Sequence, residues 1–164
     1  PGVLPYDIVR IELGGGGSGR TIQFPLANAD IWQIGAELGG LNLQAVFDLN
    51  NAPSTFNRSA STHLDQSGAI VSEGELSEIS MLLGLHAQAQ PVQTSLTLQG
   101  LPLSPAVART RAPLQGALDE ETLVVTAEGE ETRPRVWVGR SALATCSAIS
   151  VNRRALMLTL ECAS

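Results

Sequence analysis

The chain is written in short alternating apolar runs, each cut off by glycine or proline, and that pattern leaves little room for long helices. Residues 92–98 alternate through Val92, Thr94, Leu96 and Leu98 and then meet Gly100. Residues 3–13 set Ile8, Arg10 and Glu12 against Val9, Ile11 and Leu13. A period of two sends successive side chains to opposite faces of a sheet. Residues 21–26, 31–38, 123–126 and 135–138 read as further strands, with Pro25, Gly39 and Gly40 as punctuation. The best-defined hairpin pairs Ala148-Ile149-Ser150-Val151 with Ala155-Leu156-Met157-Leu158-Thr159-Leu160 across Asn152-Arg153-Arg154. Residues 57–73 are polar and turn-rich apart from Ala69-Ile70-Val71, and residues 76–85 admit either a short amphipathic helix or a buried strand. These runs predict an all-β barrel or sandwich with at most one or two short helices.

At 164 residues and 43% apolar, the chain is sized for one domain that can bury a core without staples. No apolar stretch is long enough to span a bilayer. The chain opens on Pro1 rather than Met, which is compatible with a processed or excised start. Residues 1–13 read as an N-terminal strand or arm. Residues 14–19, Gly14-Gly15-Gly16-Gly17-Ser18-Gly19, read as a flexible linker, either a natural loop tip or an engineered tether. Residues 20–164 form the main β domain.

All ten basic residues are arginine. Without lysine there is no Walker-type phosphate loop and no Schiff-base chemistry. The net charge of −6 argues against a nucleic-acid surface. Arg133, Arg135 and Arg140 cluster, but Glu128, Glu130 and Glu131 precede them, so a solvated mixed-charge loop is expected. The acidic run Asp119-Glu120-Glu121 reads the same way. Cys146 and Cys162 flank the last hairpin, where a disulfide and a pair of free thiols are both open readings. With His63 and His86 they match no zinc-ligand spacing, and neither a metal nor a cofactor is expected. No G-x-S-x-G elbow supports a serine triad. Asn57-Arg58-Ser59 fits a glycosylation acceptor, and Trp32 and Trp137 read as core anchors.

The residue that poses the functional question is Asp48, at the end of the alternating run 41–48 and before a turn of Leu49-Asn50-Asn51-Ala52-Pro53. A carboxylate at a strand-to-turn junction suits single-acid chemistry. It also suits an ordinary Asx-turn, in which the side chain accepts from its own backbone.

Four segments, in this order, resemble the retropepsin-like, single-lobe aspartic peptidases. Gly40-Leu41-Asn42-Leu43-Gln44-Ala45-Val46-Phe47-Asp48 resembles the strand entering the catalytic Asp-Thr/Ser-Gly. Leu96-Thr97-Leu98-Gln99-Gly100-Leu101-Pro102-Leu103 resembles a hairpin of the second half. Val138-Gly139-Arg140-Ser141-Ala142-Leu143 resembles the stretch before a short helix, and residues 149–158 resemble the closing hairpin. The resemblance implies an acid-protease barrel and a homodimer in which Asp48 from each copy shares a proton and activates water. It places the closing flap at Gly68, Ala69 and Ile70. Leu49 replaces the hydroxyl residue and Asn50 the glycine. The resemblance therefore implies a catalytically degenerate, self-associating module, either structural or binding a peptide or protein segment; the alternative is an active aspartic endopeptidase. A third reading makes residues 1–13 a tethered partner strand that adds to a sheet edge.

Overall fold

The computed structural model describes residues 7–17, 19–80, 86–109 and 133–164. Strand dominates it, as the alternation predicts. Among the described residues the strands form two open sheets and a small hairpin, and no closed barrel ring is traced. The strand expected at 123–126 and the acidic residues between 119 and 131 lie outside the described residues.

The first sheet is built on the C-terminal hairpin, β13 (Cys146–Asn152) and β14 (Met157–Cys162). Its flanks are β1 (Ile8–Glu12) and β2 (Arg20–Pro25), in the order β1-β13-β14-β2, all antiparallel. Register explains the alternation. Ile11, Ile149, Leu160 and Ile22 fall in one row, and Val9, Val151, Leu158 and Phe24 in the next. Rows of this kind are the unit that stabilises a sheet. On the solvent side Arg10 donates to Glu161 at 2.8 and 3.0 Å and to Glu12 at 2.8 Å. Hydrogen bonding from Arg10 holds the Glu161 carboxyl below its ordinary value. A carboxyl depressed on folding stabilises above its unfolded pKa and ceases to as pH falls through the folded one. At this exposed site solvent screens the effect.

The glycine-rich segment is packed against this sheet. Leu13 N–H donates to the Ser147 carbonyl at 2.8 Å, Gly15 N–H to Cys146 at 3.1 Å and Gly19 N–H to Cys162 at 2.9 Å. A Cβ on Gly15 would stand 2.2 Å from the Cys146 carbonyl oxygen. Composition suggested a loose linker; contact with the backbone beneath is what requires glycine here. The described part of the arm, through β1, is a strand of the chain's own sheet.

Cys146 and Cys162 are register partners across this hairpin and are joined by a disulfide. The bridge closes a 16-residue separation, for which loop entropy gives about 3 kcal/mol. Replacing both cysteines with serine is expected to lower the thermal midpoint by roughly 6–12 °C. Denaturation with and without reductant checks this; an unchanged midpoint would mean the strands alone fix the hairpin.

The second sheet runs β3 (Gln33–Leu38), β4 (Leu41–Phe47), β12 (Arg135–Val138), β5 (Ser54–Phe56), β11 (Ala106–Arg109), β8 (His86–Thr94) and β6 (Ile70–Ser72). β7 (Ser77–Ser80) pairs with the first half of β8, so the region open to helix or strand is strand where it is described. β4 and β5 are consecutive in the chain but are not neighbours. β12 lies between them, parallel to β4 and antiparallel to β5. Leu43, Ala45, Phe47, Phe56, Val136 and Val138 point into the core, and Phe47 meets Phe24 of the first sheet at 5.6 Å. β9 (Thr97–Leu98) and β10 (Leu101–Pro102) make the expected small hairpin. Gln99 and Gly100 both have positive φ in its turn, as a two-residue type I′ connection requires.

The polar stretch after Asn57 contains a helix that alternation does not predict, α1 (Arg58–Gln66). Its buried residues are Ala60, Ser61 and Leu64, a narrow stripe with one large side chain. Its ends are better marked than its face. Asn57 caps the N-terminus, and Gly68 ends the helix in the left-handed conformation. Gly68 N–H bonds the Asp65 carbonyl and Ala69 N–H the Leu64 carbonyl, the Schellman pattern.

Candidate functional site

β4 delivers Asp48 to the surface because Leu43, Ala45 and Phe47 occupy the core face. Asp48 N–H extends the ladder to the Val138 carbonyl at 2.9 Å, and then the chain turns. Oδ1 accepts from Asn50 N–H at 2.9 Å, which makes the Asx-turn. Oδ2 accepts from the Asn51 side-chain amide at 2.7 Å. Asp48 is half-buried, Asn50 is exposed, and Leu49 packs against the core.

Two of the segments quoted from the sequence meet here. Arg140 N–H donates to the Asn51 carbonyl at 2.8 Å, and Ser141 N–H to the Ala52 carbonyl at 3.0 Å. Gly139 N–H donates to the buried Ser54 hydroxyl at 3.1 Å. The loop after β4 thus satisfies the first donors of a short 3-10 helix (Arg140–Leu143), the groups a helix start leaves open. A Cβ on Gly139 would lie 2.3 Å from the Pro53 carbonyl oxygen. The glycine lets the two backbones touch.

Beside Asp48 is the outer face of the second sheet. Val46 precedes Asp48 by two residues and therefore shares its side of the strand. Trp137 is in register with Val46 on one side and Thr55 on the other. All three are half-buried. The guanidinium groups of Arg109 and Arg135 each lie 5.8 Å from the Trp137 ring centroid, in cation–π range. Arg135 also donates to the Gln44 side chain at 3.0 Å. Trp137 is thus no core anchor. Val136 and Val138 take the inward positions of β12, so its neighbour between them faces out. That assignment was open to reading from Arg135-Val136-Trp137-Val138 by alternation alone.

Other expected sites resolve differently. Gly68, Ala69 and Ile70 do not form a hairpin tip. Gly68 ends α1, and buried Ile70 pairs with Thr94 at the start of β6. Gly68 and Ala69, with Val71, Glu73, Gln93 and Thr94, do line a shallow depression of about 530 Å³. The disulfide removes both thiols from any zinc site, and the described residues hold no cluster of three or more His, Cys, Asp or Glu suited to a metal. Among them no helix is long and apolar enough to cross a membrane.

Asn57 cannot serve as a glycosylation acceptor in the fold. It is buried, its amide nitrogen donates to the Arg133 carbonyl at 2.7 Å, and its oxygen accepts from Ala60 and Arg135 N–H, each at 3.0 Å. No protein-family model matches the chain, and comparison with curated proteins returns no significant match.

Proposed function

We propose that this is a retropepsin-like domain without peptidase activity, which self-associates and holds an extended peptide or protein segment on the outer sheet face beside Asp48. The observation that carries the reading is Leu49. Where the peptidase motif needs a hydroxyl to brace paired loops, this chain has an apolar side chain packed on its core. Asp48 adds to it, since both its oxygens already accept hydrogen bonds within its own loop. Two of the segments that resemble the peptidases, those at Asp48 and at residues 138–143, meet in this loop, which supports the reading.

The second reading, an active endopeptidase, draws on the same loop. Its carboxylate is half-exposed, beside the outer face of the second sheet. Paired carboxylates could still share a proton there if two copies brought them together.

Restoring the motif separates decay of the site from a different design. Leu49→Thr with Asn50→Gly is expected to remain folded and dimeric by analytical ultracentrifugation, and to gain slow cleavage of an unfolded protein at acidic pH. A folded double variant that stays monomeric and inert would argue against the retropepsin reading.

A further inference from the structure

We infer that the face around Trp137 selects acidic segments, those placing a carboxylate two residues from an apolar or aromatic side chain; this rests on the peptide-binding reading above. The chain carries 16 acidic residues against 10 arginines, so its surface is negative on the whole. Among the described residues, arginines gather at β11 and β12, while Asp48 lies on the same face beyond Val46, at the end away from Arg135. Arg109 and Arg135 stand against Trp137, and Arg133 is exposed at the start of β12. The acid on the outer face of β3, Glu37, is in register with Asn42 and is separated from Arg135 by the whole of β4.

The spacing defines the ligand. Arg135 and Trp137 are two residues apart on one strand and share a face, roughly 6.6 Å apart along it. An extended peptide repeats its own side chains at the same interval. A ligand laid along β12 therefore puts one side chain at the guanidinium and the next-but-one at the indole. Guanidinium offers a planar fork of donors that matches a carboxylate, and it does so better than a lysine would. The indole offers a flat apolar surface, flanked in register by Val46 and Thr55. A cationic ligand residue would meet two arginines and be repelled.

Fluorescence anisotropy of the full chain tests this with three fluorescein-labelled peptides. They are flexible, Ser-rich and identical except for Glu, Gln or Lys two positions before a single Leu. The expected order is Glu, then Gln, then Lys, with Glu about tenfold tighter than Gln. That margin should shrink as ionic strength rises, as screening requires. Arg109→Gln with Arg135→Gln should abolish the margin by weakening the Glu peptide to the level of the Gln peptide, with folding confirmed by circular dichroism. Arg135→Lys should keep part of it, since charge survives and the fork does not. Trp137→Ala should weaken all three peptides. Equal binding of the Glu and Gln peptides, lost in Trp137→Ala, would overturn the acidic preference and leave the peptide face standing. No binding of any peptide by a folded chain would overturn both.

Discussion

Gly139→Ala is expected to lower stability by about 3 kcal/mol or more, at the upper end of overpacking effects. The added methyl would fall 2.3 Å from the Pro53 carbonyl oxygen and 2.5 Å from that of Ala52. Both are backbone atoms, held by Ser141 N–H on Ala52 and by the ring of Pro53, so neither can swing aside as a side-chain tip does. The loop carrying Asp48 would have to separate from the 3-10 helix. Urea unfolding measures the loss, and the natural control is Gly35→Ala. Gly35 lies in β3 with open space where its Cβ would be. That change should stay within about 0.5 kcal/mol. Equal effects at the two glycines would mean the contact with Pro53 does not hold the loop.

The second large effect is at Asn57. Its amide links three elements: the start of α1, the strand β12 and the backbone at Arg133. Asn57→Ala removes a helix cap, worth about 1 kcal/mol, and leaves buried donors and an acceptor unpaired at about 1–3 kcal/mol. A total near 3 kcal/mol is expected. Asn57→Asp should fall between the wild type and alanine. It keeps an acceptor for Ala60 and Arg135 but turns a second oxygen toward the Arg133 carbonyl. Thermal and urea denaturation of the three proteins check the order. If alanine and aspartate behave alike, the acceptor for Ala60 and Arg135 adds nothing and the amide donated to Arg133 carries the whole effect.

These two residues also show where the sequence was legible and where it was not. Strands with strict alternation and a tight turn, such as β13 and β14, read correctly because every inward residue is apolar and every break is chemical. Asp48 was legible as a strand-end acid, since the run before it has period two. The helix α1 was missed for a physical reason. Its packing stripe is narrow and small, and its identity rests on Asn57 and Gly68 at its two ends. Those caps bracket nine helical residues and were the available signal. Gly68 was instead assigned to a flap, because a glycine before an apolar pair fits a hairpin as well as a helix end.

Other features depend on contacts that no local pattern encodes. Nothing along residues 41–56 announces that β12, some eighty residues later, inserts between β4 and β5. Gly15 reads as linker by composition, and only the carbonyl of Cys146 beneath it explains why a side chain is excluded. Whether the two cysteines pair is settled by the register of their strands. Arg109 and Arg135, which meet at Trp137, come from two strands that sequence order keeps apart, so the run of Arg133, Arg135 and Arg140 along the chain did not reveal their pairing.

The central claim is that Asp48 serves its own turn and not hydrolysis. Mass spectrometry tests it most directly, on the purified protein and its Asp48→Asn variant incubated with an unfolded protein from acidic to neutral pH. The account predicts no cleavage by either protein at any pH. It also predicts a modest stability loss in the variant, where an amide donor would face the Asn51 amide that now donates to Oδ2. Fragments produced by the wild type and absent with Asp48→Asn would contradict it and make this chain an aspartic peptidase.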